Sequence, residues 1–489
     1  VILSLGLAGC GSAGPAAPSG LDPARMAPAS SLLYFSMTVR PQGSQRTQVE
    51  ATLHKLFGKR ADPTIRQAIQ KLMRKAGATY NGDVKPWLGQ RIGVVITQFT
   101  PGAPNNGVSP SAVALIAPTQ NPSAARAFIA KVLKHSPGTD GKVIGHYAVY
   151  GGALAYQEIL ATTPANSLAA SPGYQATVSQ LPSNASAVFY MNTRKLVAAV
   201  MSKFKQLGAL GAAVRNQLAR IGPNAAVAAG LTLTPSAVSL DTAVSGIRPG
   251  PPGHGAAANV GNLPAGAWLA LDTGGNIFSP QSVQRMVTGF RAGFLGALSQ
   301  SPLAGSPGAS AVAQRLAVIQ QFLPALGPLS VSLGGTSPLN LAAGLKLTPT
   351  SMAAATRLLE LIHALAAHSA SLNVTGNATR FSIGVPTGSS VIVDETGKNV
   401  VATYGFLNQR AFLAPSAKLS SDPTYQHALS QLPAGSSVPL YVSFGPITSI
   451  VSLVDHKPSA AKTEQVLNRL SYLIAGGHSG HDRVVLGLK

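Results

Sequence analysis

Apolar residues in this 489-residue chain recur with two periods, one helical and one extended. After Asn121-Pro122, an N-cap followed by a first-turn proline, Ala125, Phe128, Ile129, Val132 and Leu133 keep helical spacing and predict a helix to His135. Ala355, Leu358, Leu359, Ile362 and Leu365 predict another over about Ser351 to His368. A third starts at Asp62-Pro63 and ends at Gly77, with Ile65, Ile69, Leu72, Met73 and Ala76 on one side. A fourth follows Asn192, built around Leu196, Val200, Met201 and Phe204. Strands are predicted at Arg91–Gln98, Ser111–Ala117, Ala225–Leu233, Ala237–Val244, Leu339–Leu347, Arg380–Val385 and Arg483–Leu488. Some are joined by turns as short as Leu233-Thr234-Pro235-Ser236, which forces antiparallel pairing because a parallel pair needs a long crossover. The expectation is an α+β fold of antiparallel sheets with helices packed on one face.

The chain also repeats itself. Tyr174-Gln175, Ser179-Gln180-Leu181-Pro182 and Ser186 return 251 residues later as Tyr425-Gln426, Ser430-Gln431-Leu432-Pro433 and Ser437. Pro164, Leu168, Pro172 and Tyr190 match Pro415, Leu419, Pro423 and Tyr441 at the same offset. Ala27-Pro28-Ala29 before Leu32-Leu33-Tyr34-Phe35 is echoed by Leu263-Pro264-Ala265 before Trp268-Leu269-Ala270-Leu271. Two duplicated α+β halves are therefore expected, residues 28–247 and 259–489. Between them lies a Pro/Gly-rich linker, 248–258.

The opening residues read differently. Leu7-Ala8-Gly9-Cys10 closes a short apolar run, and Cys10 is the one cysteine of the chain, so no internal disulfide can form. The run resembles the lipobox of bacterial lipoproteins, which implies residues 1–9 as a signal-peptide remnant of a truncated start and Cys10 as the lipidated residue. The Gly-, Ala-, Pro- and Ser-rich stretch to residue 27 is expected to be a flexible tether. No uninterrupted apolar run reaches the ~18 residues of a membrane-spanning helix.

Asp83-Val84-Lys85-Pro86-Trp87-Leu88-Gly89, followed by an apolar strand, is the most distinctive string. Pro86 fixes its own φ and biases Lys85 towards extended backbone, Trp87 is an apolar anchor with one N–H to satisfy, and Gly89 permits a tight strand entry. These properties suit a structural clasp; a ligand-contacting loop is the alternative. With the opening strand near Tyr34, the 121–135 helix and the Leu168…Leu181-Pro182 stretch, the string resembles the bacterial domain-of-unknown-function family 3352. The resemblance runs loosely over 28–489, although the second half offers only Leu326-Gly327-Pro328 against the Trp87 string. It implies an envelope protein and supplies no catalytic residue.

Searching for chemistry yields little. The chain has no Gly-x-Ser-x-Gly elbow and no phosphate-binding Gly-x-x-x-x-Gly-Lys-Ser/Thr loop. Asp394-Glu395 precede Thr396-Gly397-Lys398-Asn399, which reads as a hairpin turn. His478 and His481 in a Gly-rich loop could approach zinc but lack further ligands, so a polar loop is expected, with no metal and no cofactor. Charge says more. Residues up to 250 carry 23 basic and seven acidic residues, the remainder 14 and eight. Arg66, Lys71, Arg74, Lys75 and Lys85 lie in the densest stretch and are candidates for contact with anionic headgroups or a cell-wall polymer. Nucleic acid is not expected, for want of any recognition motif. The functional expectation is a non-enzymatic binding or scaffold lipoprotein, lipid-anchored on the outer face of the cytoplasmic membrane. A carrier of lipid or another apolar ligand is the alternative, and a hydrolase would need a buried Ser–His–Asp cluster.

Overall fold

The computed structural model describes residues 21–58, 77–99, 108–204, 221–247, 257–274, 327–337, 340–367, 372–384, 389–405, 407–454, 464–478 and 480–489. They fall into two compact units. The first comprises the described residues up to 247 together with 480–484 and 488–489; the second takes 257–478 and 485–487. The chain thus returns to the first unit at its end, where the sequence reading left residues 259–489 wholly in the second half. The edge strand of the first sheet explains the return, as shown below.

The first unit is built on β1 (Leu33–Thr38), β2 (Arg91–Ile96), β3 (Val113–Pro118), β4 (Thr139–Ile144), β5 (Tyr147–Gly152), β6 (Ala187–Asn192), β7 (Ile221–Thr234) and β8 (Ala237–Ile247). Their order across the sheet is β4-β5-β3-β2-β1-β6-β7-β8, with every pair antiparallel. Among the described residues the helices that accompany it are α1 (Gly43–Phe57), α2 (Pro122–Leu133), α3 (Ala153–Leu160), α4 (Pro172–Val178) and α5 (Thr193–Phe204). The Asn121 side chain caps α2 by accepting from the Ala124 N–H at 3.1 Å, as the Asn-Pro signal predicts.

Helices cover both faces of this sheet, not one. Tyr34, Val95, Ala114 and Val149 pack with Ala155, Ile159 and Tyr174 of α3 and α4. Met37, Ile92, Ala117 and Ala148 point the other way, three residues or one residue off, and pack with Ala125 and Ile129 of α2. The reason lies in the strands themselves. Arg-Ile-Gly-Val-Val-Ile and Val-Ala-Leu-Ile-Ala-Pro are nearly continuous apolar runs, the pattern of a strand buried on both sides.

The folded body also starts earlier than the tether reading allowed. Asp22 caps a short 3-10 turn over Pro23–Arg25, and Ala24 and Ala27 are fully buried in the first cluster. The Tyr147 hydroxyl donates to the Asp22 carbonyl at 3.2 Å. Small residues read as linker in sequence are here part of the cluster that holds Tyr34, Tyr147 and Tyr174. Similarly Ala258, assigned to the linker, is buried.

The second unit holds β9 (Ala267–Asp272), β10 (Leu329–Gly334), β11 (Ala342–Leu347), β12 (Asn373–Asn377), β13 (Arg380–Gly384), β14 (Ser390–Thr396), β15 (Asn399–Gly405), β16 (Ser437–Ser443) and β17 (Leu470–His478). They run in the order β12-β13-β14-β15-β11-β10-β9-β16-β17, again antiparallel throughout. Helix α6 (Met352–Ala367) lays Ala355 and Leu359 on Phe381, Val393 and Val400. Helices α7 (Gln409–Leu413), α8 (Pro423–Leu429) and α9 (Phe444–Val454) also belong to the described residues of this unit. Asp394 and Glu395 lie in β14 just before its hairpin to β15, where Gly397 takes φ +63°. The α+β, antiparallel expectation holds. Among the described residues no helix is long and apolar enough to cross a membrane, which says nothing about crossing by strands.

Gly93 tests the early start of the body. A Cβ there would lie 2.7 Å from the Pro23 ring and 3.0 Å from the Tyr34 ring. Gly93→Ala should destabilise by about 1–3 kcal/mol in urea denaturation, as overpacking does.

Candidate functional site

The Trp87 string forms a knot of interlocking contacts on the first sheet. Tyr80–Val84 make one π-type turn, a rare geometry associated with functional positions. It is held shut by Asp83, whose Oδ2 accepts from the Thr79 N–H at 2.7 Å and from the Thr79 hydroxyl at 2.9 Å. Lys131 of α2 reaches the same carboxylate at 2.9 and 3.0 Å. The turn thereby aims the Asp83 carbonyl at the Trp87 indole, which donates to it at 2.7 Å. Trp87 is 2% exposed and lies against Phe128 of α2, ring centres 5.2 Å apart.

On either side of the tryptophan the chain is pinned by a cation and an amide on its carbonyls. Arg40 donates to the Lys85 and Leu88 carbonyls at 3.2 and 2.8 Å, and Gln120 donates to Leu88 at 3.0 Å. The Gly89 N–H reaches the Pro118 carbonyl at 2.8 Å, and a Cβ on Gly89 would sit 2.7 Å from that oxygen. The glycine is therefore required by closeness of approach. The two N–H groups of the tryptophan donate to carbonyls of the turn, those of Asp83 and Val84, and its own carbonyl accepts from the Gln120 N–H at 3.0 Å, the geometry of a clasp. The ammonium of Lys131 and the two Thr79 donors hold the Asp83 carboxyl at about 2, below the usual carboxylate range.

Other titratable groups in the unit are buried for packing. Tyr174 stands edge-on to Tyr34 and to Tyr190, at 6.0 and 5.2 Å. Burial is the main cause that pushes all three phenols up, most strongly Tyr34 and Tyr174. In the second unit Tyr425 and Tyr441 repeat the edge-on pair at 5.1 Å, and burial pushes Tyr441 up to about 12.

Of the residues singled out in sequence, Cys10, Arg66, Lys71, Arg74 and Lys75 lie outside the described residues. Lys85 is described and sits in the clasp, half-buried where a largely exposed side chain was expected. Its carbonyl is held by Arg40. Sequence reading missed Thr79, Arg40 and Lys131 as members of the clasp. Lys131 had a signal: it lies three residues beyond Phe128 on the α2 face that meets Trp87. His481 Nε2 lies 3.3 Å from Asp241 Oδ1. Among the described residues no group of three or more metal-ligating side chains is assembled.

Residues 6–148 match the model of the family described as "Protein of unknown function (DUF3352)". The match takes in the whole clasp and stops inside the first unit, short of the 28–489 likeness read from sequence. No curated protein matches the chain. A solved structure titled "Structure of crystal form III of TP0453" aligns over 48% of this chain and 94% of its own, with 9% identity and a TM-score of 0.24; a likeness that low carries no argument.

The clasp makes a pH prediction. A carboxyl lowered on folding contributes stability above its unfolded value, near 3.8, and loses it as pH falls through about 2. The Asp83 carboxyl resonance should therefore titrate near 2 by NMR. In Lys131→Met it should move up towards 3.8, and the share of acid lability between pH 4 and 2 that Asp83 carries should shrink.

Proposed function

We propose that the chain is a non-catalytic binding and scaffold lipoprotein of the cell envelope, held at the outer face of the cytoplasmic membrane through Cys10. The observation that carries this reading is the order Leu7-Ala8-Gly9-Cys10, a Gly/Ala/Pro/Ser segment, and then a folded body whose first cap is Asp22. A lipidated cysteine needs such a spacer before a globular body. With the body starting at residue 21, about ten residues remain, with an r.m.s. reach of about 17 Å if flexible.

The non-catalytic part of the proposal draws on how carboxylates are used. Asp22 and Asp422 cap helices. Asp272 accepts from the Asn259 and Gly274 N–H groups. Asp83, Asp241 and Asp394 pair with Lys131, Arg483 and Arg380. Each is occupied with holding backbone or a neighbouring cation, which suits a scaffold better than acid–base work.

The same reading takes the two units as a duplication. Strand β1 lies between β2 and β6, and β9 between β10 and β16. The Ala27 carbonyl accepts from Leu168 and the Leu263 carbonyl from Leu419, both at 2.7 Å. Pro28 bridges Ser167, and Pro264 bridges Lys418. Leu168 and Leu419 are both fully buried, and the Tyr174–Tyr190 pair has its equal in Tyr425–Tyr441. Hairpin β12–β13 is the extra piece of the second unit.

One observation favours the second reading, a carrier of acyl chains. Phe189 is 36% exposed in the middle of a sheet, in register with Phe35 and, across it, Val94. Apolar area left on a strand face is what an acyl chain would cover.

Two experiments test the proposal. Cells expressing the precursor should incorporate labelled fatty acid into it and hold it in the membrane fraction; Cys10→Ser should abolish both. Equal labelling of the serine variant would remove the anchor. The purified Cys10→Ser protein should bind anionic vesicles or a teichoic-type polymer, weakening as salt rises. Charge reversal at Arg66, Lys71, Arg74 and Lys75 should remove that binding. Lipid co-purifying in native mass spectra would favour the carrier instead.

A further inference from the structure

Strand β8 would be the open edge of the first sheet if the unit ended at residue 247. Its inner side pairs with β7 along its length. On its outer side the Val244 N–H donates to the Gly480 carbonyl at 2.9 Å, and the Leu488 N–H to the Ser236 carbonyl at 2.8 Å. The covering segment is the start and end of the last strand, β18 (His481–Leu488).

Asp241 sits in β8 on the same face as Ala237 and Ala243, both buried in the unit. Its side chain is fully buried. Oδ1 accepts from Arg483 Nε at 2.6 Å and lies 3.3 Å from His481 Nε2. Oδ2 is buried without a hydrogen-bond partner among the described residues. His481 and Arg483 are two apart and share one face of their strand, while Asp482 between them is exposed. A buried carboxylate without a cation is strongly unfavourable, and a charge turned inward on an edge strand is a known means of refusing foreign strands.

We propose that Asp241 is a selective latch on the β8 edge: it admits the chain's own C-terminal strand, which brings Arg483 and His481 to the carboxylate, and rejects strands that bring no cation there. The backbone ladder alone would accept any extended segment; the buried acid supplies the choice. It also fixes register, because a slip of one residue would turn Arg483 to the other face and Asp482 towards Asp241.

Hydrogen exchange on the full chain tests this, read at β8, residues 480–488 and the central strands β1 and β2. In Arg483→Gln, the Val244 amide and residues 480–484 should exchange about 100-fold faster or more, as loss of one partner of a buried pair requires, while β1 and β2 stay protected. In the double variant Asp241→Leu/Arg483→Leu, protection of the strand should return to within about tenfold of the parent, since no charge is left buried. Unchanged protection in Arg483→Gln would overturn the latch. So would a uniform rise across β1, β2 and β8, which would mean global destabilisation, or a double variant as open as the single one.

Discussion

Burial of both faces of the central strands is the constraint on which the first unit rests. Tyr34 and Met37 in β1, Val95 and Ile92 in β2, and Ala114 and Ala117 in β3 supply opposite faces with core residues. Two layers of helix must then be accommodated about 10 Å from one sheet, and the sheet must accept them closely. That demand explains the glycines within the strands. A Cβ on Gly93 would strike Pro23, and one on Gly151 would lie 2.5 Å from the Ala114 backbone. It also explains why the segment around Ala24 and Ala27 belongs to the body: it is the lid that keeps the Tyr34 side of the sheet dry.

Scarcity of carboxylates shapes the rest. The chain has 15 acidic residues against 37 basic ones. Arginine and lysine are consequently spent on carbonyls: Arg40 on Lys85 and Leu88, Arg91 on Ala185, Arg194 on Ile221, Lys195 on Ser30. A cation on a strand-end carbonyl does there what water would do on a more exposed surface. Two of the few acids, Asp83 and Asp241, each draw together elements far apart in sequence.

This division also decides what the sequence could reveal. Elements with strong periodicity and caps were legible: α2 from Asn121-Pro122, α6 from its leucine stripe, β2, β3, β7 and β8 from their apolar runs. Helix α1 was not, because Gln42 offers no side-chain cap and only Val49, Thr52 and Leu53 are buried along its length. Placement of helices on both faces was misread because continuous apolar runs in β2 and β3 were taken only as strand signals. The clasp was legible as a string, Asp83 to Gly89, but its anchors Thr79, Arg40 and Lys131 are ordinary residues that acquire meaning through the fold. Asp241 gave no signal at all, since its partners lie 240 and 242 residues away.

The shortened spacer changes what the basic surface can do under the proposed anchoring. An r.m.s. reach of about 17 Å is twice the ~8 Å Debye length at physiological salt. Charges on the body then add little to membrane residence, which two or three acyl chains would supply at ~0.8 kcal/mol per buried methylene. What the surplus of cations can still do at that distance is meet a polymer that extends from the surface and crosses the gap itself. Under that proposal the two tasks would be physically separate: the lipid would decide where the body stays, and the body's charge what it could gather there. A body pressed flat on the bilayer would lose that separation, because the same cations would be neutralised by headgroups before any polymer reached them.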